Sequence, residues 1–241
     1  NVSNDQTPDI CRAYAVKDSR IRYIRQEQHI SIGENFNFVL RQSKGIYFLW
    51  AAHDDIWKRT ALEECIRTLQ ENANALLVFF HYVYIDEAGK IIKADDASKF
   101  FPFGEDRYTR LKRYLLLLHH NGKANLLYGL WRRKELENLS PFVFTNYWIS
   151  WGADANFIFR ALLKGTPFFV EETLFFKRMK PLPRSFIRQF PMKLVYPLLL
   201  LATPYFYRYI FDIARAQKLE SFEKLKLMSC VLYSMARAVL R

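Results

Sequence analysis

Ile46 to Ala52 is an unbroken apolar run, Ile-Tyr-Phe-Leu-Trp-Ala-Ala, that stops abruptly at His53-Asp54-Asp55. It is too short and too rich in β-formers for a helix, so it reads as a strand buried on both faces. Such a strand needs covering layers, and the flanking sequence supplies them. Thr7-Pro8 marks the start of a short helix with Ile10, Ala13 and Tyr14 on its apolar stripe. Arg20 to Arg25 alternates polar and apolar residues, as a strand does. Ser31 and Glu34 have capping-box spacing ahead of a helix that turns Phe36, Val39 and Leu40 inward and stops at Lys44-Gly45. Thr60 and Glu63 repeat that spacing before a helix carrying Leu62, Cys65, Ile66 and Leu69. Leu76 to Ile85 then turns through Asp86-Glu87-Ala88-Gly89-Lys90 into Ile91-Ile92, a hairpin signature. Helix, strand, helix, strand, helix, strand predicts an α/β fold with a mostly parallel sheet flanked by helices.

Beyond residue 93 the pattern predicts a helix from about Tyr108 to His120, another from Asp154 to Lys164, and two short strands, Pro167 to Val170 and Leu174 to Arg178. After Pro181-Leu182-Pro183 the chain reads as helices only, the last with Leu225, Met228, Val231 or Leu232, Met235 and Val239 on one face. The 241 residues, 51% hydrophobic and 17% aromatic, suffice for one sizeable core and exclude a disordered or disulfide-stapled chain. Cys11, Cys65 and Cys230 are odd in number and widely spaced. They read as buried small hydrophobes in a reducing compartment, without disulfide or zinc. The most apolar stretch, Leu194 to Tyr207, is interrupted by Pro197 and Pro204. Spanning a bilayer takes about 20 apolar residues, so it is not read as a transmembrane helix. Opening on Asn1, with no initiator Met and no signal-peptide pattern, the chain reads as a fragment whose first strand lies upstream.

The formal charge of +12 attracts anions: nucleic acid, anionic lipid or phosphorylated small molecules. No nucleic-acid-binding motif accompanies it, so nucleic acid is not expected as a partner. Ligands of open α/β sheets bind beyond the carboxyl ends of the strands, where Asp54 and Asp55 fall. Adjacent carboxylates there either hold a divalent cation shared with phosphate oxygens or cap the turn before Trp57. His119-His120 reads as a solvated helix end and Asp95-Asp96 as a turn.

Taken in order, the motifs resemble the nucleotide-sugar half of family 2 glycosyltransferases of the GT-A fold. Asn1-Val2-Ser3-Asn4-Asp5-Gln6-Thr7 is similar to the family's D-N-x-S-x-D-G-T element without its leading Asp, and Asn35-Phe36-Asn37 to its N-F-N. Trp50 through Trp57 is similar to the strand that ends in the acidic D-x-D-type motif. Tyr128-Gly129-Leu130-Trp131-Arg132-Arg133 resembles Y-G-L-[FW]-R-R, and Gly152-Ala153-Asp154 stands in the place of the acceptor-side E-D. Phe176 to Pro181 stands in the place of R-x-H-P. The resemblance covers about residues 1–185, implying a GT-A-like catalytic domain there and a C-terminal helical segment over 186–241.

What the resemblance implies is an inverting transfer of a sugar from a nucleoside-diphosphate donor to a hydroxyl of a glycan or lipid-linked acceptor, in bacterial polysaccharide or glycoconjugate synthesis. Asp154 would be the general base. Asp5, Asp54, Arg178 and Lys180 would bind the nucleotide sugar, with Lys177 a further source of positive charge at the diphosphate. Asp55 and His53 would hold a divalent metal, Mn²⁺ or Mg²⁺. Trp148 and Trp151 would wall the acceptor pocket or simply pack in the core. His53 replaces the first acid of the triplet, Ala153 the Glu before the base, and Lys180 the usual His. These departures keep open an alternative, a degenerate domain that binds nucleotide or glycan without turnover. The basic and aromatic mixture from Phe186 to Arg241 fits either a peripheral membrane contact or helices packed on the catalytic domain. The expected location is the cytoplasm, at the inner face of the cell membrane where the acceptor is lipid-linked.

Overall fold

Strand β3 (Ala75–Ile85) is the axis of the molecule, with nearly every residue buried, so both of its faces are covered. The computed structural model describes residues 1–95, 106–117, 122–137, 139, 152–179 and 205–239. Around β3 the sheet runs in the order β1 (Tyr47–Phe48), β5 (Leu130–Arg132), β3, β6 (Thr166–Arg178), β2 (Ile56–Trp57). β4 (Ile91–Asp95) also pairs with β3, as the second arm of the expected hairpin.

Among the described residues only β3 and β6 run parallel; the pairs β1–β5, β3–β5, β2–β6 and β3–β4 are antiparallel. The sheet is therefore mixed, which corrects the expectation of a mostly parallel one. Hydrophobic periodicity reports which residues are buried and carries no information on strand direction. The apolar run at 46–52 contributes only Tyr47 and Phe48 to the ladder. Trp50 then turns inward, its indole Nε1 donating to the Phe36 carbonyl at 3.2 Å. Residues 20–25 form no strand, because no neighbouring backbone pairs with them among the described residues. The two strands expected at 167–170 and 174–178 are one continuous β6, with register shifts opposite Phe80 and His81.

Helices α1 (Thr7–Lys17), α2 (Ile32–Gln42) and α3 (Ala61–Glu71) precede β3. The Ser31 hydroxyl accepts from Glu34 N while Glu34 accepts from Ser31 N, so the expected capping box closes α2. Thr60 does not cap α3: its backbone is already helical and its hydroxyl is buried without a partner. The other end of α3 is closed from across the sheet by Arg132. Its guanidinium donates to the carbonyls of Leu69, Asn72 and Ala75, three acceptors that the helix end and the following turn would otherwise leave short of donors. Arg132→Met is expected to lower stability by about 1.5–3 kcal/mol, read as a fall in the urea midpoint at unchanged m-value.

A helical layer covers the far side of the core. It comprises α4 (Arg107–Leu116), a 3₁₀ helix (Lys123–Tyr128), α5 (Arg133–Glu137), α6 (Ala153–Lys164), α7 (Tyr205–Arg215) and α8 (Ser221–Val239). α7 packs on α6, and α8 on α4 and α7. α8 turns Leu227, Val231 and Ser234 inward, with the Ser234 hydroxyl donating to the Leu115 carbonyl at 2.7 Å. Leu225, expected on that face, is exposed. All three cysteines are free; Cys65 is buried, its thiol pushed up to about 12, and Cys11 and Cys230 are half-buried. Among the described residues no helix is long and apolar enough to cross a membrane.

Candidate functional site

Pairing of β2 with β6 decides where the acidic turn goes. The antiparallel register sets Ile56 opposite Phe176, so the residues just before β2 meet the end of β6. Asp55 Oδ1 accepts a hydrogen bond from Arg178 N at 2.8 Å. Arg178 donates from Nε to the Asp54 carbonyl at 2.9 Å and from Nη1 to the carbonyls of Asp86 and Glu87 in the β3–β4 turn. The guanidinium is thereby engaged in tying two loops to the strand end.

Lys177, the neighbour of Arg178 on β6, turns the other way. Its ammonium donates to Asn125 Oδ1 at 2.5 Å and sits 4.7 Å from the centroid of the Tyr128 ring. Asn125 in turn donates to the Tyr84 hydroxyl at 3.2 Å. Burial pushes the Lys177 ammonium below the usual lysine range, against the pull of the Asp55, Asp154 and Asp54 carboxylates. The Tyr128 phenol is pushed up to about 12 by burial and then by Asp55, Asp154 and Asp54. Burial raises Asp55 as well, offset by its bond from Arg178 N and by Lys177. One lysine and one tyrosine thus sense the same three carboxylates, contributed by the turn before β2 and by α6.

Asp154 lies in the first turn of α6, behind Gly152, which adopts the left-handed conformation at φ 70°. Asp154 Oδ1 accepts from Ala155 N at 2.7 Å, and its other oxygen accepts no bond among the described residues. The Tyr114 hydroxyl donates to the Ala155 carbonyl at 2.9 Å, pinning this turn to α4.

Beneath it lies Lys123, 2% exposed, with its ammonium 5.0, 5.3 and 5.6 Å from the ring centroids of Tyr114, Tyr209 and Tyr205. Burial pushes Lys123 down to about 7, and the Asp154 carboxylate works in the opposite direction. The ring faces partly replace the water a buried ammonium loses. Lys123, Asn125 and Tyr84 were not singled out from sequence. A lysine after Asn121-Gly122 has the look of a surface turn, and only the tyrosines brought in by α4 and α7 make it interior.

Among the residues expected at the site, the structure brings together Asp54, Asp55, Asp154 and the β6 end carrying Arg178. His53 is exposed in the same turn, without a described bond to either aspartate. Asp5 is exposed and accepts from the backbone N of Thr7, the first residue of α1, at 3.0 Å; no described contact joins it to the cluster. Trp148, Trp151 and Lys180 lie outside the described residues, as does His119-His120.

Among the described residues no three metal-ligating side chains converge. The donor set nevertheless fits a hard divalent ion of the kind that takes one or two protein carboxylates and completes its shell with phosphate oxygens and water. Asp55 has one oxygen committed to Arg178 N and its second oxygen without a described partner.

The mixed sheet with its flanking helices is a GT-A glycosyltransferase fold. Staphylococcus aureus TarS 1–349 superposes with a TM-score of 0.67 at 16% identity, over 97% of this chain and 59% of that one. TarS 1–349 in complex with UDP-GlcNAc superposes equally well, at 15% identity. The model of "Glycosyl transferase family 2" matches residues 1–128, more than half of the chain, and the protein belongs to that family. An uncharacterized glycosyltransferase of Methanocaldococcus jannaschii is 27% identical over 119 residues, 49% of this chain and 39% of that protein. The glycosyltransferase GlyG of Streptococcus pneumoniae is 28% identical over 87 residues, 36% of this chain and 29% of that protein. The chain therefore spans well under two thirds of the length of these relatives.

Proposed function

We propose that this chain transfers a sugar, with inversion, from a nucleoside-diphosphate donor to a hydroxyl of a glycan or lipid-linked acceptor. The observation that carries the reading is the convergence of Asp54, Asp55, Asp154, Lys177 and Tyr128 from four separate elements at one end of β6. Asp154 takes the proton of the acceptor hydroxyl through the oxygen left open at the start of α6. The acceptor oxygen bonds to the anomeric carbon from the face opposite the diphosphate, and the bond from that carbon to the phosphate oxygen breaks, its electron pair going to the diphosphate. Lys177 meets the charge that develops there, from a position already fixed by Asn125 and the Tyr128 ring, so little reorganisation is needed. The Tyr128 phenol stays protonated and is a donor for the same oxygens. Asp54 and, by the family resemblance, Asp5 would face the nucleoside.

Glycosyltransferases of this fold commonly use a divalent metal, and here Asp55, with His53 close by in the chain, would hold it. When bound, the ion would neutralise the leaving diphosphate. Imidazole suits Mn²⁺ better than Mg²⁺. In this reading residues 1–185 form the catalytic part and 186–241 a helical support, working at the inner face of the membrane where the acceptor is lipid-linked.

Melting the protein with UDP, GDP, dTDP or CDP, each with and without Mn²⁺, tests the donor site. The TarS complexes make UDP the first to try. Stabilisation of about 2.7 kcal/mol is expected at 100 times the Kd of the matching nucleotide. Binding without sugar transfer would favour the degenerate domain, for which exposed His53 in place of an acid is the supporting observation. No shift with any nucleotide would remove the donor site.

A further inference from the structure

On the outer side of α6, one residue from Asp154, α6 and α7 enclose a cavity of about 400 Å³ lined by Ala153, Asn156, Arg160, Tyr207, Arg208, Phe211 and Asp212. It contains two guanidiniums that nothing described neutralises at contact distance. Neither Arg160 nor Arg208 makes an ion pair or hydrogen bond among the described residues; Arg160 only lies 5.8 Å from the Phe157 ring centroid. Arg160 Nε and Asn156 Oδ1 are both buried without a partner. Burial lowers both guanidiniums, and Arg160 acts against Arg208 as a like charge. Asp212, the one carboxylate of the lining, bonds to neither, and burial pushes it up to about 6 in spite of both.

Half-buried, mutually repelling arginines with idle donors are costly unless a ligand completes them. Guanidinium forks suit the paired oxygens of a phosphate or carboxylate. At the rim Tyr207 is 56% exposed, offering a flat apolar face beside the charge, as a sugar or polyol chain next to an anion would use, while Phe211, 54% exposed, carries the Arg215 guanidinium 4.2 Å from its ring centroid.

We infer that this cavity is an anion subsite of the acceptor, recognising a phosphate or carboxylate carried by the molecule whose hydroxyl Asp154 activates. The inference rests on the reading of Asp154 as the base at the acceptor side. It adds that the acceptor is itself anionic, with its charged group held between α6 and α7 while its hydroxyl reaches the first turn of α6. It also gives part of the +12 charge a specific use.

Calorimetric titration of the protein with sn-glycerol 3-phosphate and, separately, with methyl glucuronide tests this, with UDP present throughout to fill the donor site. One of the two is expected to bind, and which one separates a phosphate-bearing acceptor from a uronate-bearing one. Arg208→Gln and Arg160→Gln are each expected to weaken that binding about tenfold, and Arg208→Lys less. Arg208 is the more exposed of the two, so its variants keep the test available if Arg160→Gln fails to fold. Binding of neither probe, or binding unchanged in both glutamine variants, overturns the subsite. UDP affinity, measured on the same samples, is expected to stay unchanged. Its absence in the unaltered protein would instead sink the donor reading, so the two failures are distinguishable.

Discussion

Asp154→Asn is expected to lower the rate of sugar transfer by about 10²–10⁴-fold while leaving nucleotide affinity and the melting temperature nearly unchanged. The amide is isosteric, and its oxygen can still accept from Ala155 N, so the first turn of α6 keeps its geometry. What disappears is an oxygen able to take a proton. The substitution also removes a negative charge that favours the protonated forms of Lys123 and Lys177. Lys123, already pushed down to about 7, then loses its proton more readily still. The two effects separate in a pH profile. Loss of the base lowers the rate at every pH, whereas a role exerted only through Lys123 would be restored as the pH is lowered and that ammonium recovers its charge. Turnover retained at wild-type level, with donor binding intact, would remove Asp154 as the base.

The parts of the fold legible in the sequence were those fixed by local chemistry. Ser31 and Glu34 cap α2 because both partners lie within one turn, and the apolar stretch through β3 is strand wherever it is placed. Where tertiary context decided, local patterns misled. Thr60 and Glu63 have the same spacing as Ser31 and Glu34, yet the turn from Lys58, where Ala61 N donates to the Lys58 carbonyl at 3.0 Å, draws Thr60 into helical backbone and leaves its hydroxyl uncapping. Residues 20–25 alternate as a strand should, and strandness still requires a neighbour to pair with. At the site the acidic turn was legible as a candidate because two carboxylates end a buried run, although spacing alone equally allows them to cap the turn before Trp57. Lys177 and Arg178 were not separable, since adjacent residues on a strand face opposite ways and the sequence does not say which way is in. The register of β2 on β6 answers that: Arg178 ties the loops and Lys177 enters the cluster.

Gly152→Ala is expected to destabilise the protein by about 2–5 kcal/mol and to depress activity further, because two costs fall on the residue that launches α6. The first is conformational: at φ 70° and ψ 13° an alanine sits in the left-handed region, which costs on the order of 1 kcal/mol or more. The second is steric. A Cβ there would lie 2.1 and 2.3 Å from the Cδ2 and Cε2 atoms of Tyr205, so the ring must move, and overpacking of this kind costs about 1–3 kcal/mol. Tyr205 is poorly placed to yield. Its carbonyl accepts from Asn156 Nδ2 at 3.2 Å, its hydroxyl accepts from Tyr209 OH at 3.1 Å, and its ring covers Lys123. A shift of Tyr205 therefore moves the bed on which Asp154 rests and the α7 wall of the arginine cavity together. Gly89→Ala isolates the first cost, since Gly89 has φ 86° and nothing within 4 Å of an added Cβ. Its urea midpoint should fall by the conformational share alone, with transfer unaffected. Equal midpoints for the two variants would mean that Tyr205 does not press on Gly152.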